Sequence, residues 1–251
     1  MTFIILLSYF ISFLSFLLAN FSQKKGILKA SYTFLGIGFF LYLFLLFSEY
    51  IKTKTFPVGD VYGMFSFIGN LSAFIFILLS RKYDFSLFGA IVSFIAFLTT
   101  VFAIPSRSLG FSNPLYILHI VSAGLSYVFL IFGGFASFSK LLVERSLKKG
   151  NIRLPLAPLR ILKKLEKSFI ILTFIGLTLT LIFGSLWTKT YLGIHWVNDP
   201  KLLATLLLWI YYAFLSHMYL IKAFKPSQIS FLSLFGTLLG LVTLLFFRHS
   251  F

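Results

Sequence analysis

The sequence predicts an all-α membrane protein, a polytopic bundle of eight transmembrane helices. Hydrophobic residues make up 59% of the 251 residues, charged residues make up only 11%, and the mean hydropathy is +0.98. Soluble proteins carry about 25% charged residues because their surface faces water. The apolar residues also fall into eight stretches of about 20, which is the length that crosses a bilayer as a helix. Helices are required because an open sheet would leave unpaired backbone groups in lipid.

The eight predicted spans are separated by short polar or proline-containing segments. They are Thr2–Ser22, Ile27–Ser48, Val61–Ser80, Phe85–Ala103, Pro114–Leu142, Ser168–Thr188, Leu202–Ala223 and Ser227–Phe247. The first stretch has neither a basic flank ahead of it nor a small-residue cleavage site, so we expect it to be a retained span. We expect residues 1–251 to form a single integral membrane domain.

The distribution of Lys and Arg predicts the orientation. Sixteen of the 22 basic residues fall on one side of the predicted spans and six on the other. Because cytoplasmic loops collect Lys and Arg, the first side is predicted to be cytoplasmic and both termini to lie outside. The longest loop, Glu144–Glu166, is then cytoplasmic. A net charge of +16 would suggest nucleic acid in a soluble protein, but the membrane bias explains it here, so we expect no nucleic-acid partner.

The few acidic residues and the absence of cysteine exclude several functions. All six Asp and Glu residues are predicted to lie in loops or at span ends. Proton and cation pumps usually place acids within the membrane, so a coupled transporter is disfavoured. With no cysteine, the chain has no disulfide, thiol redox motif or thiolate metal site of its own.

The four histidines are the candidate ligands. His119 lies in the outer part of span five, His249 directly follows span eight, and His195 lies in the outer loop at residues 189–201. His217 lies about 22 Å below the outer start of span seven. A single metal with bonds of about 2 Å cannot join His217 to the outer histidines, so any ligand role requires two sites. Hydrogen-bonded packing is the alternative role for each of them, and imidazole is a common axial ligand of haem iron.

The stretch from Trp187 to His217 carries a family resemblance. It reads WTKTYLGIHWVNDPKLLATLLLWIYYAFLSH and resembles the cytochrome c assembly family, whose outer loop has the form WGxYWxWDPKETW and whose next helix has the form WLIYAAYLH. The similarity is to the system II haem-attachment subunit (CcsA- or ResC-like) and to its eight-span HemX-like relatives. The matching residues are Gly193, Trp196, Asp199, Pro200 and Lys201 in the loop, and Trp209, Tyr211 or Tyr212, Ala213, Leu215 and His217 in the helix.

Further stretches extend the resemblance to about residues 57–251. Leu118-His119 followed by Tyr127 is similar to the family's LHV…Y helix, and the end Arg248-His249-Ser250-Phe251 is similar to its closing LHSY or LHSF. Glycines before Trp187 match the span that leads into the tryptophan-rich (WWD) loop at residues 187–201. That loop is degenerate in this chain, because Trp196 is the one tryptophan that remains of the family's set and His195 replaces an aromatic residue.

The resemblance implies a haem b site built from two histidine levels. It assigns His119 and His249 as the two external iron ligands and His217 as a ligand within the membrane. Trp196 would stack on the porphyrin, and His195 would either add to that stacking, ligate iron or simply face solvent. The remaining residues that it assigns to cofactor binding are Gly193, Asp199 and Trp209, with Lys189, Lys201 or Arg107 as partners of the propionates.

The function implied by the resemblance is cytochrome c biogenesis in a bacterial plasma membrane. The protein would bind haem b and present or translocate it for attachment to apocytochrome c on the outer face. It would work with a ResB-like system II partner membrane protein that carries a large external domain, as a subunit of a haem lyase that is not self-sufficient. Whether it is itself an enzyme stays open. The alternative is a HemX-like regulator of haem synthesis that acts by protein contact.

Overall fold

The computed structural model describes residues 1–22, 24–80, 85–104, 110–150 and 156–247. Within this part of the chain, eight α-helices are each long and apolar enough to cross a membrane, and no strand occurs. The predicted all-α class is confirmed. The helices are α1 (Thr2–Ser22), α2 (Lys25–Thr53), α3 (Val61–Ser80), α4 (Ser86–Ala103), α5 (Pro114–Lys148), α6 (Leu159–Leu192), α7 (Pro200–Leu220) and α8 (Pro226–Phe246).

The bounds of α1 and α3 are those predicted, whereas α5 and α6 run well beyond their predicted spans. The predicted loop Glu144–Glu166 is wrong, because α5 continues to Lys148 and α6 already begins at Leu159. Hydropathy marks the part of a helix that suits lipid, but Lys, Arg, Leu and Glu are strong helix formers and continue the helix past it. The 35 residues of α5 span about 52 Å, against roughly 30 Å of hydrocarbon.

The chain divides into two compact units, Met1–Ser112 and Asn113–Phe251. Whether they act as one domain stays a prediction. The first unit, α1 to α4, has a buried polar network in its core. Tyr9 donates its hydroxyl hydrogen to Oδ1 of Asn70, and Nδ2 of Asn70 donates to the Ser66 carbonyl (2.8 Å) and to Oγ1 of Thr100 (3.1 Å). This network satisfies the one buried amide side chain of the unit's described core.

The second unit consists of α5 to α8, with successive helices packed against each other in antiparallel order. Its apolar core contains Leu130, Ile170, Leu177, Leu208, Tyr212, Leu215 and Ile229. Antiparallel packing brings the start of α5, the end of α6, the start of α7 and the end of α8 together. We call this the loop end of the unit, because the segment at residues 193–199 lies there. The opposite end, where α5 and α7 finish, is called the basic end.

Candidate functional site

His119 is fixed on α5 by a hydrogen bond to the neighbouring helix α6. Its Nδ1 lies 2.9 Å from the backbone carbonyl oxygen of Thr180, and the side chain is half-buried. A carbonyl oxygen only accepts, so Nδ1 carries the hydrogen. In the neutral ring the lone pair is then on Nε2. Histidines that bind metal commonly donate their other ring N–H to a carbonyl in this way, which fixes the tautomer and the ring orientation.

Small residues on α6 make room for this imidazole. Gly176, Thr180 and Gly184 are spaced four residues apart and lie along one face of the helix. A β-carbon at Gly184 would lie 2.9 Å from Nδ1 and 3.0 Å from Cε1 of His119. The Thr180 hydroxyl is occupied within the helix, donating to the Gly176 carbonyl at 2.8 Å. The Thr180 carbonyl can therefore contact the His119 ring, because Gly184, one turn later on α6, has no side chain to keep the ring away.

Three aromatic residues lie between His119 and the loop end. The rings of Tyr116 and Trp187 are 5.4 Å apart between centroids, and those of Trp187 and Tyr191 are 5.5 Å apart and nearly parallel at 9°. Tyr116 precedes His119 by three residues on α5 and lies on the same helix face. The sequence-based site omitted this cluster. The available signal was the helical spacing of Tyr116 with His119 and of Trp187 with Tyr191.

The degenerate loop is exposed. Gly193 ends α6 in the left-handed region with φ +78°, a conformation that glycine adopts without strain. His195 is exposed, with Nδ1 3.2 Å from the Ser185 hydroxyl oxygen. Trp196 is 47% exposed. The loop thus presents an indole and an imidazole to the surroundings of the unit, with the His195 ring close to the last turns of α6.

Asp199 has a structural place in this loop. Its side chain is fully buried and caps α7, since Oδ1 accepts a hydrogen bond of 2.9 Å from the backbone N–H of Leu202. A carboxylate at a helix start also interacts favourably with the helix dipole. Asp199 therefore fixes where α7 begins.

Trp209 and His217 lie in different environments, although their spacing of eight residues predicts a shared broad face. Trp209 turns towards α6, where Nε1 donates to Oγ1 of Thr178 at 2.8 Å and the indole lies 5.9 Å from the Phe174 ring. His217 lies in the last turn of α7 and is exposed. It continues an exposed stripe along this helix formed by Leu203, Leu207, Ile210 and Phe214.

His119 and His217 occupy separate levels of the second unit. His217 is the eighteenth residue of α7, about 25 Å along the helix from the loop end, while His119 is about 7.5 Å from it on α5. No group of three or more His, Asp or Glu side chains capable of holding a metal occurs among the described residues. His249 and Arg107 lie outside the described residues.

The two described lysines assigned to propionates both donate to backbone carbonyls. Nζ of Lys189 lies 2.9 Å from the Gly193 oxygen at the end of its own helix. Nζ of Lys201 lies 3.1 Å from the Phe247 oxygen, directly after α8. Lys201 thus connects the start of α7 with the end of α8.

A buried ion pair near the basic end corrects the predicted position of Glu166. Instead of ending a loop, Glu166 lies inside α6, with Oε2 2.6 Å from Nζ of Lys140, and both side chains are buried. Ser230 of α8 donates to Oε1 of Glu166 at 2.6 Å, and Lys140 also donates to the Pro226 carbonyl at 2.8 Å. The pair therefore joins α5, α6 and α8.

A solved structure has a similar architecture. The chain resembles the solved structure "Cytochrome c Heme Lyase CcmF" with a TM-score of 0.68 at 16% sequence identity, over 99% of this chain and 46% of that chain. At this identity the likeness concerns the fold. The match covers both units and includes the arrangement of helices that carries His119 and His217.

Several curated relatives match by sequence. The chain is 27% identical over 257 residues to the cytochrome c biogenesis protein CcsA of Prochlorococcus marinus (strain MIT 9215), covering 90% of this chain and 83% of that protein. It is 24% identical over 217 residues to CcsA of Chlamydomonas reinhardtii, covering 81% of this chain but only 61% of the relative's length. It is 28% identical over 236 residues to CcsA of Trieres chinensis, covering 78% and 76%.

The match to a described family extends over most of the chain. Residues 58–251 match the family described as cytochrome C assembly protein, which is nearly the range over which the sequence motifs predict the resemblance. The matched range begins ahead of α3 and includes all of the second unit. This chain belongs to the cytochrome C assembly protein family.

Proposed function

We propose that the protein binds haem b at the loop end of its second unit and presents it on the outer face of the membrane for attachment to apocytochrome c. The observation that carries the proposal is the fixed tautomer of His119, whose Nδ1 donates to the Thr180 carbonyl. The ring keeps its lone pair on Nε2, which is the form that ligates iron. His119 fits haem iron because it supplies an imidazole rather than a carboxylate, and aromatic side chains lie on the same side of the helix pair.

The residues around His119 suit a flat apolar ligand with a polar edge. Tyr191 is 56% exposed and supplies an aromatic face, supported by the buried rings of Trp187 and Tyr116, and aromatic faces pack well on planar rings. The haem supplies vinyl groups, at which thioether bonds form. The thiols must come from the apocytochrome, since this chain contains no cysteine. His249 is the proposed second axial ligand, as the resemblance implies.

His217 is proposed as a separate ligand for haem that arrives from the inner side. Its imidazole is exposed on an otherwise apolar stripe of α7, where a neutral ring costs less in lipid than a fixed charge. The position near the end of α7 is far along the helix from His119. We propose that the two histidines act in sequence, His217 first and the outer site second.

The exposed loop supports a role for a partner protein. Ile194 is 52% exposed and Trp196 47%, and large apolar side chains that face outward together often mark protein contacts. We propose that a ResB-like partner with an external domain and the apocytochrome approach here. We propose the bacterial plasma membrane as the location of this complex, as the resemblance to the system II branch implies. The haem-lyase activity belongs to the complex rather than to this chain alone.

The deciding experiment is an absorption spectrum of the purified protein. We expect a Soret band with reducible b-type features. The His119→Gly variant should lose most of this low-spin signal and regain it when imidazole is added, because imidazole fills the vacated iron position. The same measurement on His195→Gly decides the role of the exposed loop histidine: a kept signal assigns it to solvent, and a lost signal assigns it to the haem site. An unchanged spectrum in His119→Gly would remove this residue from the site.

The same exposed loop also fits the alternative, a HemX-like regulator that acts by protein contact. Well-folded wild-type protein without any Soret band would contradict haem binding and favour this alternative. Its test is then direct: the Trp196→Ala variant should lose the contact with the first committed enzyme of haem synthesis in a co-purification, while the fold stays intact.

A further inference from the structure

The seam between α6 and α7 is held by two hydrogen bonds near the basic end of the second unit. The Ser216 hydroxyl donates to the Ile170 carbonyl oxygen at 3.5 Å. The Tyr219 hydroxyl donates to the Lys163 carbonyl oxygen at 3.3 Å. Both donors belong to α7 and both acceptors to α6, so the two bonds fix which turns of these antiparallel helices lie side by side.

His217 and Lys167 lie at the same level of this seam. His217 comes between the two donor residues on α7, and Lys167 comes between the two acceptor residues on α6, four positions after Lys163 and three before Ile170. Both side chains are exposed. Because the axes of packed helices are about 8–10 Å apart, one bound molecule can reach both side chains.

A second lysine stands beside Lys167 on α6. Lys163 and Lys167 are four positions apart and therefore share one side of the helix, and both are exposed. No acidic side chain in the described part of the chain forms an ion pair with either amine. The neighbouring Glu166 is buried and is bound by Lys140 and Ser230 instead. Since like charges at this spacing repel each other, the two amines suit a ligand that carries two anionic groups.

The seam is aromatic on the side of the loop end. The indole of Trp209 lies 5.9 Å from the Phe174 ring, and both residues are half-buried. His217 follows Trp209 by eight residues, about 12 Å along α7. Between them, the small Ala213 is half-buried and leaves room at the seam. From the middle of α7 to the basic end, the seam therefore presents aromatic rings, then an imidazole, then two amines.

We propose that Lys163 and Lys167 bind the two propionates of the haem whose iron His217 ligates. This inference rests on the proposed role of His217. Haem has the same order of chemistry as the seam: an apolar ring, a central iron and two carboxylates at one edge. Ion-paired hydrogen bonds between ammonium and carboxylate groups are stronger than neutral ones.

The depth of the lysines suits this role. Lys167 directly precedes the apolar stretch that begins at Ser168, so its long side chain can place the amine at the membrane surface. The carboxylates of the haem then stay out of the hydrocarbon, where a charge is costly, while the ring lies along the seam. The two lysines thereby orient the haem with its carboxylates towards the basic end.

The experiment measures the haem binding that depends on His217. The full-length His119→Gly variant lacks one outer ligand, and the same variant with His217→Ala gives the background to subtract. Haem and haem dimethyl ester are titrated into nanodiscs of neutral phosphatidylcholine; the ester keeps the ring and iron but has no anionic groups. We expect Lys163→Met with Lys167→Met to weaken haem binding several-fold and to leave binding of the ester unchanged.

Two controls accompany the double variant. Lys163→Arg with Lys167→Arg keeps both positive charges and should retain most of the affinity for haem. Lys148→Met with Lys149→Met removes two exposed lysines from the end of α5, at the same end of the unit, and should leave haem binding unchanged. The comparison therefore separates a specific pair of amines from the general positive charge of the basic end.

The contrary results are equally definite. If the double methionine variant loses the same affinity for haem and for the ester, the lysines do not bind carboxylates and the inference is overturned. It is also overturned if the loss is equal in the α5 control, or if it appears only in nanodiscs that contain anionic lipid, since the amines then bind headgroups. If His217→Ala removes no haem binding from His119→Gly, the proposed role of His217 fails and the inference falls with it.

Discussion

The imidazole of His119 lies directly against the backbone of Gly184: a β-carbon at position 184 would stand 2.9 Å from Nδ1. The same nitrogen donates to the Thr180 carbonyl one turn earlier on α6. The ring is thus held by two backbone positions of one helix, and its orientation depends on how closely α5 and α6 pack. The absence of a side chain at Gly184 therefore helps to decide where Nε2 of His119 points.

Gly184→Ala should lower haem occupancy. Real β-carbons essentially never approach another heavy atom within 3.0 Å, so the alanine must displace the imidazole or part the helices, and either movement weakens the Thr180 hydrogen bond. We expect a several-fold loss of Soret absorbance per folded protein. Gly36→Ala in α2 is the control, because nothing lies within 4 Å of a β-carbon there and alanine favours the helix by about 0.5–1 kcal/mol. Full haem content in Gly184→Ala would show that the ring tolerates the displacement.

The pair of Lys140 and Glu166 should matter for stability only as a pair. Glu166→Gln leaves the buried amine of Lys140 without its counter-ion, which costs about 3–5 kcal/mol in unfolding free energy by analogy with other buried pairs. The double variant Lys140→Met with Glu166→Gln removes the uncompensated charge and should recover most of that loss. Thermal unfolding in detergent measures both.

The exposed ion pair of Lys52 and Glu49 is the control for the variants of the buried pair. Their nitrogen and oxygen are 3.0 Å apart, but both side chains face outward. Solvent screens such pairs, so Lys52→Met should leave the unfolding temperature nearly unchanged. Equal loss in Glu166→Gln and in the double variant would mean that the fold needs a polar contact here rather than charge balance.

Much of the fold can be predicted from the sequence because hydropathy shows which segments lie in lipid and which lie in water. The bounds of α1 and α3 were predictable for that reason. The extension of α5 to Lys148 was not, since beyond the hydrocarbon the helix is maintained by propensity and by packing. Glu166 shows the same limit: its partner Lys140 lies 26 residues earlier, and only the packing of α5 on α6 brings them together.

The sequence predicts which residues belong to the candidate site. It does not predict which atoms these residues contact. The motif spacing predicts His119, His217 and the loop residues as haem-binding residues, and that role stays a prediction. It did not show that Asp199 caps a helix or that Trp209 packs on Thr178, because both contacts depend on local geometry at helix ends and interfaces. A tryptophan or aspartate that matches a haem motif can equally be a packing or capping residue, and the atoms in contact with it decide which.

The charge distribution predicts which side of the membrane each loop faces, and labelling tests this prediction directly. Asn198 in the loop and Lys149 after α5 are both exposed and lie at opposite ends of the second unit. In intact cells, the single-cysteine variant Asn198→Cys should react with an impermeant maleimide. The variant Lys149→Cys should react only after the membrane is permeabilised. The reverse pattern would place the loop inside and would contradict presentation on the outer face.

His217→Ala should deplete haem at the outer site without destabilising the protein. The imidazole is exposed on α7, and replacing an exposed side chain usually changes unfolding free energy by less than about 0.5 kcal/mol, so a packing defect cannot explain a loss of haem. Leu207→Ala is the control, because Leu207 belongs to the same exposed stripe and is 66% exposed. If His217 receives haem first, its loss empties the outer site, while His119→Gly leaves haem at His217 with an altered spectrum. Normal haem content in His217→Ala, with the unfolding temperature unchanged, would leave a single outer site and end the proposed route through α7.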